Sequence, residues 1–79
     1  MPTLFTVNGY RFYFYSQDCV EPLHVHVDRG DKKAKLWIQP LEVAWNRGYN
    51  SRELNEVLGI ARTYQATIVE RWHAHCANF

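Results

Sequence analysis

The pattern of apolar and polar residues changes once along the chain, from the two-residue period of strands to the period of about 3.6 residues of helices. Alternating, strand-like runs cover residues 3–7, 10–16, 23–29 and 32–39, and a shorter run covers 41–45. From residue 51 onward, apolar residues recur at steps of three and four, which predicts a helix over about residues 51–75. The pattern therefore predicts an α+β fold: an antiparallel sheet of four or five strands, made from two hairpins, with one long C-terminal helix packed on one face.

Two short turns set the register of the predicted hairpins. Asn8-Gly9 tolerates the positive φ angles of a type I′ turn, and Gly30-Asp31 offers a second two-residue loop. The first loop predicts the pairs Val7 with Tyr10, Phe5 with Phe12 and Thr3 with Phe14. The second predicts Leu23 with Ile38, His24 with Trp37, Val25 with Leu36, His26 with Lys35, Val27 with Ala34 and Asp28 with Lys33. Because side chains alternate between faces, each hairpin has one apolar face and one polar or aromatic face.

The predicted helix indicates which sheet face is buried. Asn50 followed by Glu53 fits a capping box at the start of the helix. Pro40 is expected to end a strand, and residues 45–48 are expected to form the turn that leads into the helix. The apolar stripe of the helix should cover the apolar sheet face, which leaves the opposite face uncovered.

Length, charge and cysteine content narrow the class of protein. A chain of 79 residues predicts a single domain, residues 1–79. The net charge of +1 gives no overall field to attract nucleic acid. No apolar stretch is long enough to cross a bilayer and no signal peptide is recognised, which predicts a cytoplasmic location with no membrane. Cys19 and Cys76 lack CxxC spacing, so they are expected to be reduced, non-catalytic thiols.

The uncovered face carries the candidate functional residues. They are Arg11, Tyr13, Tyr15, His24, His26, Asp28, Lys33, Lys35 and Trp37. One interpretation is metal binding, because His24 and His26 project to the same side of a strand and imidazoles suit zinc. Asp28 lies roughly 13 Å from His24 along a straight strand, too far to share one ion. A third ligand would have to come from Asp18, Glu21 or the histidines at the helix end.

A second interpretation is metal-independent, ribonuclease-like acid–base catalysis on RNA by His24 and His26. Histidine titrates near neutral pH, so the pair could remove one proton and return another. The residues that would hold phosphate or stack bases are Arg11, Lys33, Lys35, Tyr13, Tyr15 and Trp37. No nucleophile motif or glycine-rich phosphate loop accompanies them.

A third interpretation is a solvated or partner-covered sheet surface without catalysis. Trp37 and two tyrosines on one face favour a covered surface. His73 and His75 lie where the helix dipole favours a cation, so a structural role is sufficient for them. Arg47 is a weaker candidate for contact with an anion.

The chain resembles a family of short bacterial proteins classed as domain of unknown function 4160. The residues that carry the resemblance are Met1-Pro2-Thr3, Gly9 to Ser16, Pro22 to Val27, Gly30-Asp31, Ala34-Lys35, Trp37, Pro40, Asn46-Arg47-Gly48, Glu53-Leu54 and Trp72. The signature Pro-x-His-x-His-Val marks Pro22, His24 and His26 as the positions to test. Where the family commonly has a second proline before the first histidine, this chain has Leu23.

The resemblance implies a functional context rather than a reaction. Members of this family are often encoded beside another small protein, and such pairs have been proposed as toxin–antitoxin modules. It thus implies one component of a toxin–antitoxin-type pair, which binds a small protein encoded nearby, and RNA as a further candidate ligand, through the His24/His26 face. The alternatives are a non-catalytic protein-interaction module, homo-oligomers included, or a metal-binding domain. No cofactor and no metal ligand is assigned from the sequence.

Overall fold

A computed structural model describes residues 3–77 and has an α+β fold. Five antiparallel strands lie side by side in chain order. They are β1 (Thr3–Val7), β2 (Tyr10–Tyr13), β3 (His24–Arg29), β4 (Lys32–Ile38) and β5 (Leu41–Arg47). A short 3-10 helix, Ser16–Val20, connects β2 to β3, and the helices α1 (Ser51–Thr63) and α2 (Gln65–Cys76) follow the sheet. The predicted antiparallel sheet is thus confirmed, with five strands.

The first hairpin follows its predicted register except at its open end. Asn8 and Gly9 have φ angles of 53° and 82°, as a type I′ turn requires. The pairs Val7 with Tyr10 and Phe5 with Phe12 form as predicted. Thr3, however, pairs with Tyr13 and not with Phe14, because the register shifts between Thr3 and Phe5. Such a bulge depends on local backbone geometry, which side-chain alternation does not report.

The second hairpin has the predicted register. His24 lies opposite Trp37 and His26 lies opposite Lys35. Four strand bounds differ from the predictions: β2 ends at residue 13 instead of 16, β3 begins at 24 instead of 23, β4 ends at 38 instead of 39, and β5 continues through Arg47 instead of ending at 45. The turn into α1 therefore starts at Gly48, whose φ of 101° suits glycine.

The prediction of one long helix was wrong, because two consecutive helices meet at Tyr64. The Thr63 hydroxyl donates to the Gly59 carbonyl oxygen at 3.0 Å, a side-chain bond that bends helices. The Tyr64 ring packs on Phe5, with 4.7 Å between ring centroids. The apolar spacing continues across this junction, so periodicity alone predicts one helix. The predicted capping box is present at the start of α1.

The hydrophobic core lies between the two helices and one face of the sheet. The sheet contributes Tyr10, Phe12, Val25, Val27, Ala34, Leu36 and Ile38, the segments that follow β2 and β5 contribute Phe14 and Tyr49, and the helices contribute Val57, Ile60, Ala61, Ile68 and Trp72. The expectation that the opposite face is uncovered was wrong for part of it. Tyr13 is only 2% exposed and His24 is fully buried. The 3-10 helix contributes to this cover, because its Asp18 contacts the ring of His24.

Cys19 and Cys76 form a disulfide, so the expectation of reduced thiols was wrong. Their Cα atoms are 5.7 Å apart although 57 residues separate them in the chain. Only the tertiary fold brings the 3-10 helix to the end of α2, and CxxC spacing is no guide to such a long-range bond. Neither helix in the described part of the chain is long and apolar enough to span a membrane.

Candidate metal centre

Three potential ligands converge where the 3-10 helix meets the start of β3. Alternation along β3 places His24 and His26 side by side, with 5.2 Å between ring centroids. The 3-10 helix brings in Asp18, whose Oδ2 lies 3.2 Å from Nε2 of His24 and 3.1 Å from Nε2 of His26. The three ligand atoms all lie within 4.8 Å of one another. We call these three residues the Asp18 cluster.

The carboxylate of Asp18 is oriented by the backbone that precedes it. The amide of Tyr15 donates to Oδ2 of Asp18 at 2.8 Å, and the amide of Asp18 donates back to the Tyr15 carbonyl at 3.2 Å. Asp18 is 9% exposed. Reciprocal bonds of this kind hold a short side chain in one direction. The carboxylate therefore points at the two imidazoles.

His24 has a ring nitrogen that lacks a partner. The ring is fully buried and lies edge-on to Trp37 and Trp72. Nδ1 lies 2.8 Å from the Pro22 carbonyl oxygen, which can only accept, so Nδ1 must carry a proton. In neutral His24 the lone pair is then on Nε2, and this atom is buried without a hydrogen-bond partner among the described residues. It faces Asp18 Oδ2, and two lone pairs repel unless a proton or a cation lies between them.

His26 is more accessible than His24, and its burial favours the neutral ring. Burial lowers its pKa, against the opposing effect of the Asp18 carboxylate. Its ring stacks on Tyr13, with 5.4 Å between centroids, and meets the edge of Tyr15 at 4.8 Å. Neutral imidazole is the form that binds a metal ion. Both histidines can thus act as nitrogen ligands.

The distances in the Asp18 cluster resemble those around a small metal ion. Zinc binds imidazole nitrogen and carboxylate oxygen at about 2.0–2.2 Å, so adjacent ligand atoms of a tetrahedral site lie about 3.3 Å apart. The two distances to Asp18 Oδ2, 3.1 and 3.2 Å, are close to this value. Metal-binding histidines usually donate their other ring N–H to a carboxylate or a backbone carbonyl, as His24 does to Pro22.

Glu21 lies at the edge of the cluster. Its Oε1 is 3.8 Å from Nε2 of His24 and 2.9 Å from Nζ of Lys35. The hydrogen bond from Lys35 lowers the pKa of the Glu21 carboxyl. Lys35 thus keeps the Glu21 carboxylate at the edge of the Asp18 cluster, outside the set of three ligand atoms.

Asp28, the third member of the His-x-His-x-Asp row, belongs to a different group. Its carboxylate accepts from the Tyr13 hydroxyl at 2.8 Å and from Nζ of Lys33 at 3.1 Å, and a nitrogen of Arg11 lies 3.6 Å away. We call these four residues the Asp28 cluster. The guanidinium of Arg11 also lies over the ring of Tyr13 at 4.4 Å. The exclusion of Asp28 from a metal site shared with His24 and His26 agrees with this geometry.

The remaining residues predicted for the functional face have separate roles. Lys35 lies over the ring of Trp37, with 4.6 Å to its centroid, in addition to its bond to Glu21. Tyr15 is 40% exposed beside His26. The guanidinium of Arg47 lies 5.7 Å from the ring centroid of Trp45 on β5. The structure thus groups Tyr15 with His26, and keeps Arg47 beside Trp45.

Sequence reasoning missed two residues of this surface. Trp45 is 41% exposed with its ring 6.5 Å from that of His26, and it was assigned to the end of a strand and a turn. Asp18 was one of several candidates for a third ligand and was left out of the site. Its position six residues before His24 was visible, but the fold of the connecting segment was not. The histidines near the helix end are not part of the cluster: His75 donates to the Tyr15 carbonyl at 3.3 Å, and His73 is exposed.

Comparison with known proteins places the chain in a family. No curated protein and no solved structure matches it. The family described as "Domain of unknown function (DUF4160)" matches residues 9–73, which include every residue of both clusters. The chain therefore belongs to the DUF4160 family, as the resemblance of its motifs indicated.

Proposed function

We propose that this protein binds a divalent transition-metal ion at the Asp18 cluster, and that zinc fits best. The observation that carries the proposal is the buried Nε2 of His24, which has no hydrogen-bond partner and faces the carboxylate of Asp18 at 3.2 Å. Two nitrogen ligands and one oxygen ligand suit zinc and its neighbours in the first transition row. An ion in this position would satisfy the lone pairs of all three residues.

A protonated His24 is the main alternative explanation for the short distance. It would place a cation in a fully buried ring between Trp37 and Trp72. Burial of a charge is costly unless hydrogen bonds satisfy it. Nε2 lacks the alignment of a hydrogen bond to Asp18. In metal coordination, Nε2 gives its lone pair to the ion and needs no aligned hydrogen bond to Asp18.

The proposed site has room for further ligands. Three protein ligands leave at least one position of a zinc ion for water or substrate, which is the arrangement of catalytic rather than structural zinc sites. One carboxylate leaves a divalent ion with net positive charge, which favours an anionic ligand. Bound water would be acidified, so hydrolysis is the reaction class that this site permits.

The burial of His24 also weakens the case for metal-independent acid–base catalysis. His24 has no exposed surface, and its ring nitrogens face Pro22 and Asp18. A general acid or base must reach the proton that it transfers, directly or through one water. A ligand role for His24 therefore has more support than proton transfer to RNA, and the catalytic assignment of His24 and His26 stays a prediction.

The proposal is tested by titrating chelator-treated protein with zinc and with cobalt(II), whose absorption spectrum reports coordination. We expect one ion per chain and cobalt bands typical of nitrogen and oxygen ligands. His26→Ala should weaken binding by at least about 100-fold, because even the loss of a group behind a ligand costs 10- to 100-fold. Isothermal calorimetry gives both the stoichiometry and the affinity.

His73→Ala is the matched control, because His73 is an exposed histidine outside the cluster. It should leave zinc affinity unchanged. Circular dichroism of each metal-free variant verifies that it is folded. The absence of stoichiometric zinc, cobalt, nickel or manganese binding in folded wild-type protein would refute the metal site.

A second candidate function is binding of RNA or a small protein partner on the surface beside His26. Its support is the exposure of Tyr15 and Trp45, 40% and 41%, on either side of that ring, with Arg47 next to Trp45. Exposed aromatic rings beside a cation can stack nucleic-acid bases or anchor a protein interface. Tyr13 does not contribute, because it is buried against Asp28.

Fluorescence anisotropy with a labelled single-stranded RNA tests the RNA arm of this candidate. Trp45→Ala should weaken binding, whereas Tyr64→Ala, which removes an exposed aromatic ring elsewhere, should not. Unchanged affinity in Trp45→Ala would exclude this surface. The small protein encoded nearby can replace RNA in the same assay.

The role in a bacterial toxin–antitoxin-type pair rests on the family resemblance. Induced expression of wild type and of the His24→Ala, His26→Ala variant tests this role directly. Growth arrest by the wild type alone would support a toxin that depends on these histidines. Harmless expression of both, with the neighbouring protein still bound, would leave an interaction module.

A further inference from the structure

The position of Asp18 depends on a segment with few anchors. Cys19, the residue after Asp18, is joined by its disulfide to Cys76 at the end of α2. On the other side of Cys19, Val20 is 80% exposed and adds no apolar packing. The disulfide thus fastens the segment directly beside the carboxylate of the Asp18 cluster.

Among the described side chains, the noncovalent contacts that tie this segment, residues 15–21, to other elements are few and mostly polar. The amide of Asp18 donates to Tyr15, and the amide of Glu21 donates to Asp18, so both bonds stay within the segment. The contacts to the rest of the protein are those of Asp18 with the two histidines, Glu21 with Lys35 and His24, an exposed bond from His75 to Tyr15, and the partly exposed ring of Tyr15 against Tyr13 and His26. Among the side chains that the structure describes, the disulfide is the covalent link that holds the segment against the fold.

We propose that the Cys19–Cys76 disulfide regulates metal affinity at the Asp18 cluster, an inference that rests on the proposed metal site. A dithiol reductant would transfer two electrons and two protons, so that the disulfide becomes two thiols and the dithiol becomes a disulfide. The segment would then leave its closed position for part of the time. The apparent affinity is then the affinity of the closed form multiplied by the fraction of molecules that remain closed.

Reduction of the disulfide acts on the metal site because the three ligands lie on two different elements. His24 and His26 lie on β3, in the middle of the sheet, and do not need the disulfide for their position. Asp18 lies outside the sheet and does need it. Reduction therefore removes one ligand of three and leaves two histidines, which alone hold a metal ion weakly. Disulfides in reducing compartments are usually of this transient, redox-sensing kind.

Zinc titration of oxidised and reduced wild type tests the inference. A phosphine is the suitable reductant, because thiols bind zinc; it takes oxygen from water as the two thiols form. We expect zinc affinity to fall by about 10-fold or more on reduction, which corresponds to a closed fraction of a tenth or less. The Cys19→Ser, Cys76→Ser variant should match reduced wild type, and His26→Ala should bind weakly in either redox state.

The outcomes separate this inference from the proposed function. Equal zinc affinity in the oxidised and reduced proteins would overturn regulation while the metal site survives. Tighter binding by reduced wild type but not by the serine variant would mean that the thiols ligate zinc, which also overturns it. No zinc binding by the oxidised protein would remove the metal site itself.

Amide hydrogen exchange provides a measurement that does not need the serine variant to fold. In folded, reduced wild type the amides of residues 18 and 21, which are bonded within the segment, should exchange faster than in the oxidised protein. Amides of β3 should keep their protection. Unchanged exchange at residues 18 and 21 after reduction would contradict the inference.

Discussion

Asp18 and Asp28 lie near the same face of the sheet, and their surroundings are opposite in kind. The carboxylate of Asp28 accepts hydrogen bonds from the Tyr13 hydroxyl and the Lys33 ammonium group, with Arg11 close by. The carboxylate of Asp18 faces two imidazoles, one of which directs a buried lone pair at it. Asp28 thus accepts from the protein's own hydroxyl and cations, whereas Asp18 is hydrogen-bonded to the Tyr15 amide and the His26 ring but makes no hydrogen bond with Nε2 of His24.

The difference indicates that the Asp28 cluster is structural and that the Asp18 cluster is a ligand site. In the Asp28 cluster, one hydroxyl and two cations satisfy the carboxylate, so no further ligand is needed. In the Asp18 cluster, three ligand atoms converge and Nε2 of His24 lacks a hydrogen-bond partner among the described residues, which is an arrangement that a cation completes. The two clusters are also held differently, since strands carry Asp28 and its partners and a disulfide fastens the segment of Asp18.

Removal of the disulfide should have the largest effect on stability. The bond closes a loop with a sequence separation of 57 residues, and the loss of such a closure costs about 4 kcal/mol in the chain-entropy model. Urea unfolding of the Cys19→Ser, Cys76→Ser variant measures the loss. Hydrogen exchange should show greater loosening around Asp18 than around Asp28. A variant as stable as wild type would show that the bond does not constrain the fold.

Replacement of each aspartate by asparagine, one at a time, should weaken metal binding at Asp18 and leave it nearly unchanged at Asp28. Asp18→Asn removes the charged ligand and should weaken zinc binding by about 100-fold, or about 2.7 kcal/mol. Asp28→Asn should change zinc affinity by less than about 2-fold, because Asp28 is outside the ligand set. Calorimetric titration of both variants measures the difference. Equal effects would mean that the clusters bind metal together or that neither does.

The Asp28 cluster should matter more for stability than an exposed aspartate. Asp28→Ala leaves the hydroxyl of buried Tyr13 and two cations without their acceptor, and we expect a loss of about 2 kcal/mol. Asp31→Ala, in the exposed turn of the same hairpin, should stay within about 0.5 kcal/mol of wild type. Thermal unfolding of the metal-free proteins measures both. A loss as small as that of Asp31→Ala would show that Asp28 is not structural.

The burial of Tyr49, a core residue between β5 and α1, should also appear in the pH dependence of stability. Burial, followed by the charge of Asp28, raises the pKa of Tyr49 to about 12. The folded state therefore holds this proton more tightly than the unfolded state. The resulting stabilisation is complete below pH 10 and is lost as the pH rises from about 10 to 12, at about 1 kcal/mol between pH 10 and 11.

Tyr49→Phe is the variant that isolates this effect. It removes a hydroxyl that donates to the carbonyl of Val27 at 3.1 Å, so it should cost about 1 kcal/mol at neutral pH. Its unfolding free energy should decline less steeply above pH 10 than that of wild type. Parallel curves for the two proteins would contradict the assignment.

Much of the fold could be predicted because its signals are local. The turn at Asn8-Gly9 and the pairing of His24 with Trp37 follow from turn chemistry and alternation, which act over a few residues. The helix start at Asn50 is also local, since its capping partner is three residues away. The junction at Tyr64 could not be predicted in this way, because it preserves the apolar spacing on both sides.

Part of the candidate site could also be predicted. The placement of His24 and His26 side by side needs only the alternation of one strand. The burial of His24 could not be foreseen, because Trp72 reaches it from the distant helix α2 and Asp18 from a connection whose fold the sequence pattern does not reveal. The disulfide between Cys19 and Cys76 could not be foreseen either, because only the tertiary fold brings these two distant residues together.

The chain by itself determined the two-residue spacing of the histidine pair, its register against β4 and the helical second half, because neighbouring residues carry that information. The tertiary structure alone decided which carboxylate joins the pair. Asp28 is two residues from His26 in sequence, yet it is occupied by Tyr13 and Lys33. Asp18 comes to the pair because a bent connection, fastened by a disulfide to the far end of the chain, folds back over the sheet.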